Sequence, residues 1–94
     1  MTAKLLAHAR ADMRQAFNFI RAENPQSADK LITAIQKSIS LIETKPFIGR
    51  FDPEDNTREW SIPRWPYVIV YRVSGENIDV LRVWHTRRDR FSDN

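Results

Sequence analysis

Two different hydrophobic periods divide this chain. From Ala9 onward the apolar residues Ala9, Met13, Ala16, Phe17 and Ile20 recur at helical spacing, with Arg10, Asp12, Arg14 and Gln15 between them. The spacing predicts an amphipathic helix from His8 to near Glu23. Asn24-Pro25 then reads as a stop and a restart, because Asn can cap a helix and Pro suits its first position. A second helix follows, with Ala28, Leu31, Ile32, Ile35, Ile39 and Ile42 on one stripe and Lys30, Gln36, Lys37 and Glu43 opposite. Pro46 marks its end. So short a connection predicts an antiparallel helix hairpin. Ahead of it, Ala3 to Leu6 is long enough for one short strand.

The second half of the chain changes period. Phe47 to Asn56 carries Gly49, Pro53 and a cluster of acids, so it reads as a loop. Arg58 to Ile62 is a candidate strand, and Pro63-Arg64-Trp65-Pro66 breaks regular pairing because neither proline donates to a ladder. Tyr67 to Val73 is β-branched or aromatic almost throughout, which is the strongest strand signal present. Ser74-Gly75-Glu76-Asn77 is a turn, and Ile78 to His85 answers it as a second strand. The tail from Thr86 to Asn94 is polar. No repeat or linker stretch interrupts residues 1–94, so a single domain is expected, α+β in class. The short strand, helix hairpin and later strands should form a β-α-α-β-β-β order, with the hairpin packed on a small twisted antiparallel sheet.

Pairing Val73 with Ile78 sets a register for the strand hairpin. Arg72 then lies opposite Asp79 as an opposite-charge pair. Tyr67, Ile69, Tyr71, Val80, Arg82 and Trp84 would share one face, and Val68, Val70, Leu81, Val83 and His85 the other. Both faces are apolar, and two helices cover only one. The uncovered Val68/Val70/Leu81/Val83 face is therefore a candidate partner surface, unless the Phe47–Asn56 loop or the tail folds over it.

Composition narrows the chemistry. Hydrophobic residues make up 41% and charged residues 29%, a globular balance rather than a disordered one. No run is apolar enough to span a bilayer and no leader precedes the first helix, so a cytoplasmic, non-membrane protein is expected. The absence of cysteine removes disulfides, thiolate catalysis and the usual zinc sites, and His8 and His85 alone are too few for a structural metal. No cofactor is implied. The formal charge is +3, and eleven of the fifteen basic residues are arginine, the better residue for planar contact with carboxylate or phosphate. An acidic protein or a nucleic acid fits that charge equally well.

Six pieces stand in order along the chain: Ala9-Arg10-Ala11-Asp12-Met13, Asn24-Pro25, Pro46-Phe47-Ile48-Gly49-Arg50, Thr57-Arg58-Glu59, Tyr67 to Val73, and His85-Thr86-Arg87-Arg88. Together they resemble the RelE/ParE family of type II toxin–antitoxin toxins. Each is short, but in this order they cover nearly the whole chain. The resemblance implies a growth-inhibiting toxin, neutralised in a hetero-oligomer by an antitoxin encoded beside it. Family members divide between RelE-like toxins, which cleave messenger RNA on the ribosome, and ParE-like toxins, which poison DNA gyrase without being nucleases.

Metal-free RNA cleavage needs a proton acceptor for the 2′-hydroxyl, a cation on the phosphate and a donor for the leaving oxygen. His85 is the acid/base candidate, a residue type whose unperturbed pKa lies near neutrality, and Arg87, Arg88 and Arg64 are the phosphate candidates. The bland alternative has His85 bonding a nearby carbonyl or a carboxylate such as Asp79 or Asp89. Against a nuclease, RelE-like members carry an arginine directly after the first tyrosine of this strand, where Val68 stands here. No lysine follows Lys45 and no tyrosine follows Tyr71. These departures favour the ParE-like reading, a gyrase-binding protein rather than an enzyme. A toxin-fold interaction domain without toxicity is a further alternative. For partner contact the candidates are Arg58, Trp65, Val68, Val70, Arg72, Leu81 and Val83. Trp60, Trp65 and Trp84 offer stacking surfaces, although Trp84 reads more simply as core. Thr57-Arg58-Glu59 reads as a solvated strand edge, or alternatively Glu59 orients an arginine of the last strand.

Overall fold

The computed structural model describes residues 1–87. In chain order the elements are β1 (Thr2–Leu5), α1 (Ala7–Arg21), α2 (Pro25–Thr44), β2 (Arg50–Asp52), β3 (Thr57–Ser61), β4 (Tyr67–Ser74) and β5 (Asn77–His85). The architecture is α+β, with the helix hairpin on a sheet ordered β1-β5-β4-β3-β2. Local signals set the helix limits. Asn24 caps α2, its Oδ1 accepting the Ser27 N–H at 3.1 Å, and Pro25 takes the first position. The stripes predicted for the helices supply Ala9, Ala16, Leu31, Ile35 and Ile42 to the core, where they meet Tyr67, Ile69, Tyr71, Ile78, Val80 and Val83 from the sheet.

The sheet departs from expectation in three ways. It is mixed rather than antiparallel: β1 pairs parallel with β5, from Thr2↔Asn77 to Leu5↔Val80. A strand separated from its partner by two helices and three strands is free of the hairpin constraint that forces antiparallel pairing. Its outer edge is blunted by α2, where the Glu43 carboxylate accepts the Ala3 N–H at 2.8 Å. Secondly, the expected Phe47–Asn56 loop contains β2, paired antiparallel with β3. Three residues carry no readable alternation, and β3 supplies the ladder that makes them a strand. β3 is consequently an interior strand, and Thr57-Arg58-Glu59 is not a solvated edge.

The third departure is a β-bulge in the β4–β5 hairpin. Pairing starts as expected, with Val73↔Ile78, Arg72↔Asp79 and Tyr71↔Val80, but Val70 then faces Arg82, leaving Leu81 without a counterpart. One extra residue reverses every later side chain on its strand. Val83 therefore joins the helix-side core opposite Ile69, and His85 stands opposite Tyr67. Arg82 and Trp84 move to the other face, opposite Val70 and Val68. The proposed Val68/Val70/Leu81/Val83 surface does not exist as a single face. Nor is it open: Val68 is 1% exposed and Val70 7%. Trp84 lies outside the main core, its ring covered by the Arg82 guanidinium at 4.8 Å.

Candidate functional site

Three sheet arginines are engaged by groups of the chain itself. Arg82 bonds the Asp12 carboxylate through two nitrogens, Nε to Oδ2 at 2.8 Å and Nη2 to Oδ1 at 3.0 Å. The same Oδ2 accepts the Val83 N–H at 2.9 Å. The geometry has a simple origin. β1 stops opposite Val80, so the outer backbone edge of β5 beyond it lacks a strand partner, and α1 brings Asp12 there instead. Asp12 is buried, and its role escaped the sequence reading. The available signal was its position: spaced three and four residues from Ala9 and Ala16, it lies on the apolar stripe, where a carboxylate needs a partner.

Arg58 holds the segment after α2. Its Nη1 donates to the carbonyls of Phe47 (3.2 Å) and Gly49 (2.9 Å), and its guanidinium lies between the Phe47 and Phe51 rings at 5.0 and 4.9 Å. Beneath it, the Tyr71 hydroxyl donates to Pro46 O at 2.8 Å and accepts the Gly49 N–H at 2.9 Å. Burial raises the Tyr71 pKa above its ordinary 10.0, opposed by the Gly49 hydrogen bond and the Arg58 charge. Gly49 is required by this close approach, since a Cβ there would stand 2.7 Å from the tyrosine oxygen. Arg72 faces Asp79 in the register, yet its guanidinium turns to the Asn56 and Asp55 carbonyls at 3.2 and 3.0 Å. Glu59 meets Arg50 of β2 at 3.4 Å.

Two of the candidate nuclease residues, His85 and Arg87, meet at the end of β5. His85 stacks edge-on against Tyr67 at 5.2 Å, and its Nδ1 accepts the Arg87 N–H at 3.2 Å. Arg64 is at the same end of the sheet, because Thr86 N–H donates to Pro66 O at 2.9 Å, but it lines the α2 side. Its φ of 70° is a left-handed backbone conformation uncommon for a side-chain-bearing residue. Arg88 and Asp89 lie outside the described residues. Among the described residues no three His, Asp or Glu side chains gather as a metal site, and no helix is long and apolar enough to cross a membrane.

A cavity of about 630 Å³ opens between α2 and the end of β3. α2 supplies Asp29, Lys30, Thr33, Ala34, Lys37, Ser38 and Leu41 to one wall; Trp60, Ile62 and the Pro63–Trp65 turn form the other. Trp65, singled out from the sequence as a contact residue, packs partly against the core while lining this groove. Leu81 is half-buried on β5, away from it.

Residues 4–90 match the family model described as the ParE toxin of the type II toxin–antitoxin system parDE. The chain is 31% identical over 94 residues to Toxin RelE1 of Caulobacter vibrioides, covering 96% of this chain and all of the relative. It is 27% identical to Y4kP of Sinorhizobium fredii over 70 residues, covering 74% of this chain and 72% of that one. The fold is similar to that of a solved chain described as a chromosomal ParDE TA system from P. aeruginosa, with a TM-score of 0.82 at 23% identity, over 93% of this chain and 97% of the other. With the element order and the helix hairpin on its sheet in place, the chain belongs to the ParE/RelE family of type II toxins.

Proposed function

We propose that this toxin acts in the ParE manner, binding DNA gyrase and poisoning it without cutting nucleic acid itself, and that an antitoxin encoded beside it holds it silent. The observation that carries the reading is the use made of the sheet arginines. Arg58 and Arg72 are tied to backbone carbonyls and Arg82 to Asp12, so these three cations are engaged by the fold itself, which supports a binding protein over a nuclease built on the sheet face. Val68, at the place where RelE-like members carry an arginine, is buried. The family model, described by the parDE name, supports the same side.

The experiment is a DNA cleavage assay. Purified toxin should convert supercoiled plasmid to cleaved DNA only when gyrase and ATP are present. Cleavage without gyrase, or none with it, sinks the proposal. The second reading, a ribosome-dependent mRNA endonuclease using His85 with Arg87 or Arg88, is favoured by one observation, the RelE1 name of the 31% identical relative. Its signature would be new cuts in messenger RNA at the ribosomal A site, lost in His85→Ala.

A further inference from the structure

We propose that β2 is a self-association edge, on which a second copy of this chain lays its own β2 antiparallel, with Phe51 at the two-fold axis. The proposal is independent of the target on which the toxin acts. β2 ends the sheet, so the outer backbone groups of Arg50–Asp52 have no strand beside them among the described residues. The other end of the sheet is closed differently, since Glu43 of α2 accepts the Ala3 N–H of β1. The free stretch is bounded on both sides. Before it, the Gly49 N–H and carbonyl are taken by the Tyr71 hydroxyl and the Arg58 guanidinium. After it, Pro53 has no N–H to give. An open edge of this kind is a template for another strand.

The triplet Arg50-Phe51-Asp52 selects which strand. Set antiparallel against its own copy and centred on Phe51, it places Arg50 opposite Asp52 twice, one opposite-charge pair on each side of the axis. A slip of two residues would oppose Arg50 to Arg50 or Asp52 to Asp52, and a slip of one would bring opposite faces together. One register is complementary and its neighbours are not. Both charged groups have capacity left for a partner. Arg50 meets Glu59 at 3.4 Å, yet its side chain stays 78% exposed. The Asp52 Oδ1 accepts the Glu54 N–H at 3.0 Å, which leaves Oδ2 open.

The helix-side face of the same edge is aromatic. Phe51 pairs with Arg58 and Arg58 with the core residue Tyr71, so Phe51 points to the helix side. Phe47 and Phe51 are 62% and 47% exposed, with the Arg58 guanidinium held between their rings. The two-fold brings the other copy's Phe51 alongside, so each aromatic row meets its own image and covers apolar area left open in a single copy. The contact is short, and the association should be weak and reversible.

Sedimentation velocity of the purified chain, from micromolar to near-millimolar concentration, should show monomer passing to dimer. R50D makes the triplet acidic at both charged positions and D52R makes it basic at both, and the two-fold doubles each change. Each variant alone should associate at least about tenfold more weakly. An equimolar mixture of the two should associate to within about threefold of the unsubstituted chain, because each copy then faces its opposite; the doubly substituted R50D/D52R should do the same. R14D makes the charge change of R50D on the exposed side of α1 and should leave association within about twofold. Should R50D or D52R fail to fold by circular dichroism, R50A and D52A replace them, each weakening association by about threefold. A chain that stays monomeric over the whole range overturns the proposal. So do charge variants that associate as tightly as the unsubstituted chain, an R14D loss equal to that of R50D, or a mixture of folded R50D and D52R that remains monomeric.

Discussion

Arg82 and Arg58 are placed alike and used differently. Each lies on an inner strand with its guanidinium against an aromatic ring. Arg82 reaches a carboxylate seventy positions away in sequence, on another layer of the fold. Arg58 reaches carbonyls nine and eleven positions away, within the chain that leads into its own strand pair. The first contact fixes how α1 docks on the sheet edge. The second fixes the shape of one connection. A charge-assisted pair that is largely out of water leaves an uncompensated ion when one partner is lost, whereas a guanidinium on carbonyls that water partly reaches can be replaced in part by water. The α1–β5 junction should therefore be costly to disturb, and the Phe47–Phe51 corner more tolerant of losing Arg58, with its buried Gly49–Tyr71 contact the exception.

The sharpest way to break that contrast is at Asp12. Asp12→Ala strands Arg82 and the Val83 N–H together, and should cost about 3 kcal/mol in denaturant unfolding. Should that variant fail to accumulate, Asp12→Asn keeps the shape and some of the hydrogen bonds and should fall between it and the unsubstituted chain. A loss below that of Arg58→Ala would reverse the ranking of the two regions.

Tyr71 tests the corner from beneath. Tyr71→Phe leaves the buried Gly49 N–H without its acceptor and should cost about 1–3 kcal/mol. Its pH dependence has a definite sign. The folded-state pKa is raised by burial, so the tyrosine's contribution is intact below pH 10.0 and is lost as pH rises through the folded value. Thermal melts across that range should show the gap between the unsubstituted chain and the Tyr71→Phe variant narrowing; a gap that widens would contradict the burial argument.

The smallest effect should come from Arg50→Ala. Its ion pair with Glu59 is 3.4 Å long, and the arginine side chain is 78% exposed. A change within about 0.5 kcal/mol is expected, screened further by salt. A larger loss would mean that β2 depends on this pair rather than on its ladder with β3.

Much of the fold was readable because the helices and long strands announce themselves locally. The stripe from Ala28 to Ile42, the Asn24-Pro25 restart and the β-branched run from Tyr67 need only neighbours a few residues away. The hairpin register was right at its turn end, where Gly75, at φ 61°, and the Val73↔Ile78 pair set it. The candidate site was less readable. Arg58 and Arg72 were named as contact residues, but their carbonyl partners depend on where the Phe47–Asn56 segment folds. Lys30 and Lys37 were seen only as part of a helix face, since nothing local brings Trp60 and Trp65 alongside them.

The sequence by itself determined the two helices and the longer strands, the α+β class and the family, because periodicity, caps and ordered motifs are properties of adjacent residues. Tertiary structure alone decided the parallel seat of β1, the existence of β2 and the bulge at Leu81 that turned Val83 inward and Arg82 outward. It also decided that Asp12 would meet Arg82. Each depends on which backbone edge or charge arrives from a distant part of the chain, and a single residue of slip is enough to reverse a face.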